Sequence, residues 1–344
     1  MNTITITQPD DWHIHLRDEY YLERTVADAS KQFCRVLAMP NLKKPITDVK
    51  MAKSYQQRIL SCIPSTAIFQ PYMTLYLTDK MHPDEIVRAK ESGIILACKL
   101  YPAHATTGSE FGVTNINKIY SVLEMMQKVD LALAIHGEVV SDEVDVFDRE
   151  KYFIDDTLSK LQKDFPQLRM TLEHISTKEA VEFIKAAPKN MAATITVHHL
   201  LLNRNAMFKG GLNPHHYCLP IIKRREHQEA LIHAATSGNH KFFLGTDSAP
   251  HAQHDKEKTC GCAGIYTAHA AIELYTEVFE QANALDKLEN FASVFGANFY
   301  AVPTNQSKIT LVKKSWRVPE YLPYAENKLI PLRAGSEIAW QIKI

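Results

Sequence analysis

A (β/α)8 TIM barrel followed by a short C-terminal extension is the architecture that this 344-residue sequence predicts. Three observations lead to it. Short apolar, β-prone runs alternate strictly with longer amphipathic stretches, the signature of parallel strands joined by helices. The apolar runs number eight, the count of the closed parallel barrel. They are also nearly continuous in apolar character, as strands covered on both faces must be. Such a barrel takes about 250 residues, so the chain reads as one domain over 1–344, with the barrel at about 5–300 and the extension at about 301–344.

The strand-like runs, in order, are Trp12–Leu16, Phe33–Met39, Ala67–Leu77, Ile94–Leu100, Leu131–His136, Met170–His174, Met191–Val197 and Phe242–Gly245. Between them, Tyr21–Lys31, Val49–Ile63, Pro83–Glu91, Asn115–Val129, Tyr152–Phe165, Lys178–Ala187 and Glu226–Thr236 space their apolar residues by three or four, which predicts helices packed on one face. Two more helical stretches, Ala263–Gln281 and Leu285–Tyr300, follow the eighth strand. Beyond Ala301, Ile309–Val312 and Ile338–Ile344 read as short strands that pack on the barrel.

Composition excludes several classes. Lys plus Arg and Asp plus Glu each number 39, so there is no basic surplus for neutralising phosphates, and nucleic acid is not an expected partner. No apolar run approaches the roughly 20 residues that span a bilayer, and Met1–Asp10 lacks the form of a signal peptide. Six cysteines scattered over a large chain suggest reduced thiols in a cytoplasmic enzyme rather than a disulfide framework.

The chemistry lies where the strands end. His13 and His15 are two apart on the first strand, so both imidazoles point to one side. Lys99 ends a fully apolar fourth strand, where burial would drive its pKa down. Two readings stand for it: a lysine that snorkels out or pairs with a carboxylate, or a neutral amine that has taken up CO2 as a carbamate, whose two anionic oxygens suffice to bridge two cations. His136 ends the fifth strand, His174 the sixth, and Asp247 follows the eighth. Each residue alone has a bland explanation. Together they place two His, one Lys, two more His and one Asp at the face where barrel active sites lie. Four imidazoles with carboxylate-type oxygens suit zinc.

Longer motifs accompany these residues: Pro9–Asp18, Met39–Leu42, Lys99–Ala103, Leu172–His174, Asn203–Asn205, Tyr217–Pro220, Gly245–His251 and Cys260–Gly264. Through them the chain resembles, over essentially its whole length, the short bacterial-type dihydroorotases of the amidohydrolase superfamily. The resemblance implies reversible, zinc-dependent hydrolysis of (S)-dihydroorotate to N-carbamoyl-L-aspartate, the third step of de novo pyrimidine biosynthesis. It implies two zinc ions per subunit. His13, His15 and Asp247 would hold the more buried ion, His136 and His174 the outer one, and Lys99, as N6-carboxylysine, would bridge them together with a hydroxide. Asp247 would be the general acid/base. Arg17, Asn41 and His251 would bind the substrate carboxylate, the backbones of Leu219 and Ala263 would meet the ring, and the loop carrying Thr106 and Thr107 would close over it. A homodimer is implied on the same ground.

Two rivals are weighed. Another cyclic-amide hydrolase, such as a hydantoinase or dihydropyrimidinase, has no need of Arg17, Asn41 and His251 as a carboxylate set. A non-catalytic scaffold would have lost ligands, and none is missing. His198-His199 reads as structural support, and Cys218, Cys260 and Cys262 as free thiols near the site, since Cys-x-Cys lacks the usual spacing of structural zinc.

Overall fold

The computed structural model describes residues 2–343. Eight parallel strands lie in sequence order: Asp10–Ile14, Arg35–Ala38, Gln70–Tyr76, Ile95–Leu100, Ala132–Ile135, Met170–Leu172, Met191–Ile195 and Phe242–Leu244. Each falls within one of the eight expected runs or overlaps it. The ring closes not by a full ladder but through a short seam, where Asp247 N–H donates to His13 O at 2.8 Å and His15 N–H to Ser248 O at 3.1 Å. Asp11 reinforces the seam, its fully buried carboxylate accepting from Thr246 N (2.8 Å) and Thr246 Oγ1 (2.6 Å).

The helices form where amphipathic spacing and caps agree. Val49–Ser61 buries Ala52, Tyr55 and Ile59 and starts at Asp48, whose side chain accepts from Met51 N. Lys178–Ala186 starts in the same way at Thr177, which accepts from Ala180 N. Two of the predicted helices differ. Asn115–Val129 opens with a 3-10 turn at Ile116–Ile119, and the stretch from Arg149 to Asp164 carries a π turn at Ile154–Leu158. The larger correction is Ala263–Gln281, whose helix covers only Ala271–Gln281. Ser248 bridges to Ile265, and Ala249 N–H donates to Ile265 O at 2.9 Å, so tertiary pairing holds 263–267 out of the helix that its spacing predicts, and a turn at 268–270 leads into the helix.

Two apolar cores result. The larger lies between strands and helices; the smaller fills the barrel with Trp12, Leu37, Met39, Ala97, Ala132, Ala134, Ala192 and Phe243. Helix Phe295–Phe299 plugs the end away from the strand C-termini, with Tyr300 stacked on Trp12 at 4.8 Å. Glycine is required at 296, because a Cβ there would meet Trp12 Nε1 at 2.0 Å.

The extension returns to the N-terminus. Lys308–Val312 pairs antiparallel with Thr3–Thr7 on one side and Gln341–Ile342 on the other. The run expected at Ile338–Ile344 is two short strands, Glu337–Ile338 and Gln341–Ile342, and Ile344 lies outside the described residues. Helix Ala271–Gln281 docks it, since Glu273, Glu277 and Glu280 accept from Ile342 N, Ala339 N and Trp340 Nε1.

A buried ion pair latches extension to barrel. Arg35 donates to both oxygens of Asp10 (2.8 and 2.5 Å) and to Pro303 O (2.6 Å), while Asn305 Nδ2 donates to Asp10 (2.7 Å). Removing one partner leaves the other charge buried and alone, so Arg35→Met is expected to cost about 3–5 kcal/mol in denaturant unfolding. A loss below about 1 kcal/mol, the value of an exposed pair, would show that the latch carries no weight.

Candidate active site

The six ligand-type residues converge at the strand C-termini. Neighbouring imidazoles stand about one ring apart: His13 to His15 at 5.3 Å, His13 to His174 at 4.9 Å and His136 to His174 at 4.9 Å between centroids. Asp247 Oδ1 lies 2.9 Å from His15 Nε2 and 3.3 Å from His13 Nε2. Three residues of the site, Arg17 (φ 61°), His174 (φ 42°) and Asp247 (φ 46°), hold left-handed backbone. That conformation costs non-glycine residues about 1–3 kcal/mol and marks places where the surrounding fold dictates side-chain direction.

Hydrogen bonds set the ring nitrogens. His13 Nδ1 donates to Glu173 Oε2 at 2.6 Å, which turns the Nε2 lone pair inward. His136 Nε2 donates to Glu138 Oε2 at 2.9 Å, which leaves its Nδ1 lone pair facing His174 Nε2 at 3.3 Å. Glu173 is itself held by Thr194 Oγ1 at 3.1 Å. His13 Nε2 and Lys99 Nζ are buried without a hydrogen-bond partner.

These features fit a bound cation. His13, His15 and Asp247 bring three ligand atoms within 4.8 Å of one another. Burial lowers the pKa of His15 to about 4 and of His174 well below the ordinary range, so both imidazoles are neutral at pH 7. Burial also opposes charge on His13, but the neighbouring Asp247 and Glu173 carboxylates outweigh it and hold its pKa above the ordinary value. Two carboxylates thus favour positive charge at that point. Lys99 is fully buried, and burial brings its pKa down to about 8 despite Glu173 and Asp247. Near neutrality an appreciable fraction is then free amine, the form that reacts with CO2.

A cluster around Arg17 adjoins this centre. Arg17 Nε donates to Pro250 O at 3.0 Å, and Tyr55 Oη holds Arg17 O at 2.5 Å. His251 Nε2 lies 3.0 Å from Ala263 O and 2.9 Å from Arg17 Nη2. Burial holds the His251 pKa well below the ordinary range, so the ring is neutral and its Nε2 stands between an acceptor, Ala263 O, and a donor, Arg17 Nη2. Asn41 Nδ2 donates to Thr107 O at 3.1 Å, which ties the 104–112 loop down over the mouth. Gly108 sits at φ +72°, and a Cβ there would press on Asn41 O at 3.3 Å. Arg17, Asn41, Thr106, Thr107, Leu219 and Ala263 all line one cavity with His13, His15, His136, His174 and Asp247. Lys99 lies behind them, buried in the fourth strand, and His251 stands beside Arg17.

Among the described residues, a family model, "Amidohydrolase family", matches residues 6–314. The dihydroorotase of Nitrosococcus oceani is 57% identical over 342 residues, covering 99% of each chain. The solved dihydroorotase of Campylobacter jejuni is 35% identical with a TM-score of 0.91, covering 100% of this chain and 98% of its own. That of Saccharomyces cerevisiae, solved with 5-fluoroorotic acid, is 32% identical with a TM-score of 0.90, covering 100% and 99%.

The chain belongs to the dihydroorotases of the amidohydrolase family.

In this member of the dihydroorotases, sequence reasoning did not single out Glu138 and Glu173 as orienting carboxylates. Their only signal is an acidic residue within two positions of a strand-end histidine. Glu138→Gln should weaken metal retention about 10–100-fold, the usual cost of losing such a partner. Zinc release measured with a chromogenic chelator at wild-type rates would remove Glu138 from this role. His199 is structural, with Nδ1 against Thr196 Oγ1 (2.8 Å) and Nε2 against Pro220 O (3.0 Å). Cys218 neighbours His198 and His199, and all six cysteines are free thiols.

Proposed function

We propose that this dihydroorotase hydrolyses (S)-dihydroorotate to N-carbamoyl-L-aspartate, and runs the reverse condensation, at a site where His13, His15, Asp247, His136, His174 and carboxylated Lys99 would hold two zinc ions. The observation that carries this is the ring-nitrogen arrangement: Glu173 and Glu138 turn His13 and His136 so that their lone pairs face the same interior as Asp247 and Lys99. Divalent cations held there would supply hydroxide at neutral pH and polarise the carbonyl under attack.

The chain's own residues do the rest. Arg17 offers a planar fork to the substrate carboxylate, with Asn41 and His251 beside it. The backbones of Leu219 and Ala263 flank the ring, and Thr106 and Thr107 cover it. Asp247 accepts the proton of the attacking hydroxide on its carboxylate and delivers it to the ring nitrogen as the amide C–N bond breaks. The 1–344 chain works as one domain, and a cytoplasmic homodimer acting on a small molecule is the assembly proposed. No helix among the described residues is long and apolar enough to cross a membrane.

The test is hydrolysis of L-dihydroorotate, followed by ultraviolet absorbance, on zinc-loaded protein before and after chelation. Turnover that vanishes with chelator and returns with zinc is expected. A folded, zinc-loaded protein that spares dihydroorotate but opens hydantoins or dihydrouracil would replace this substrate.

A further inference from the structure

Lys256 sits in the short helix Gln253–Glu257 and is only 4% exposed. Its ammonium has three donors, and all three go to backbone carbonyls: Tyr217 O at 2.7 Å, Cys262 O at 2.9 Å and Gly264 O at 2.7 Å. Burial without a carboxylate partner is costly and brings its pKa down to about 8. The acceptors come from two segments far apart in sequence, joined to each other by Gly264 N–H donating to Tyr217 O at 3.0 Å. Those segments carry Leu219 and Ala263, both of which line the substrate cavity.

Peptide geometry gives the clamp a direction. Across a planar trans peptide, C=O and the following N–H point opposite ways. The Cys262 carbonyl turned to Lys256 therefore turns the Ala263 N–H away from it. Ala263 O is engaged by His251 Nε2 at 3.0 Å on the same wall.

We propose that Lys256 is a positioning residue for the substrate ring: by gripping Tyr217, Cys262 and Gly264 at once, it fixes the Leu219 and Ala263 backbones as one rigid wall. The role rests on the functional reading above and uses no contact between Lys256 and substrate.

Lys256→Met keeps the length and removes all three donors. It should raise KM for dihydroorotate about tenfold, the scale of losing one well-placed hydrogen bond. Its kcat should stay within about threefold and its zinc content unchanged, since no ligand is touched. Lys256→Arg keeps the charge but has a planar fork that cannot meet three carbonyls from a point, so it should lie between. Calorimetry with orotate, a ring carboxylate that is not hydrolysed, should show the same order of affinities without relying on turnover. A lowered Tm with unchanged KM and orotate affinity would overturn the proposal, as would a fall in kcat alone. If the Met variant does not fold, Lys256→Arg decides by the same two readouts, and wild-type values in it overturn the proposal. Wild type that binds orotate without turning over dihydroorotate would sink the reaction assigned and leave the wall to be judged on orotate affinities; wild type that does neither overturns both.

Discussion

Lys99→Ala is expected to give a folded barrel that retains at most one zinc ion and turns dihydroorotate over at least about 10³-fold more slowly, since metal activation is worth several kcal/mol and each 1.36 kcal/mol is a factor of ten. Lys99 Nζ is buried with no hydrogen-bond partner; the Tyr101 ring lies 5.1 Å away, and Glu173 and Asp247 attract it by charge alone, too weakly to offset its burial. A free ammonium so placed is poorly served, whereas a carbamate there would face cations. Elemental analysis after dialysis reads the result independently of activity. Two tightly bound ions in Lys99→Ala would refute the bridge. Zinc uptake by metal-free wild type should likewise need CO2 or bicarbonate, and full loading in CO2-free buffer would refute carboxylation while leaving the other ligands in place.

The second large effect is Asp247→Asn. The amide keeps the size of the carboxylate and an oxygen able to face His15, but it takes up no proton. The expected loss is about 10²–10⁴-fold in kcat, the range of a positioned acid/base, with part of the metal retained through His13, His15, His136 and His174. The substitution also removes one of the two carboxylates that raise the pKa of His13. Rates near wild type in both reaction directions would take the proton-transfer role from Asp247.

Much of this was legible in the sequence because barrel strands write their chemistry at fixed places. Buried strands show as apolar runs, so His136, His174 and Lys99 stand out as polar residues at run ends. His13 and His15 stand out by their two-residue spacing. What failed to show has a common cause, long-range pairing. Thr3–Thr7 finds Lys308–Val312 some three hundred residues on, and no local pattern announces it. The segment 263–270 carries helical spacing, yet Ser248, Lys256 and His251 all take hold of its backbone. Glu138 and Glu173 look like any acidic residue beside a histidine until the fold sets them against His136 and His13. Lys256 reads as a surface lysine of a charged turn, and only the meeting of two loops shows why it is buried.

The seam of the barrel has a consequence for how the protein is made. Its closing bonds run between His13 and Asp247 and between His15 and Ser248, and His15 and Asp247 stand 232 residues apart. The first histidines leave the ribosome long before the aspartate they face. Until the last strand arrives, the nascent chain holds the two histidines without the carboxylate that faces them. Closing the circle and bringing Asp247 against His13 and His15 are therefore one event.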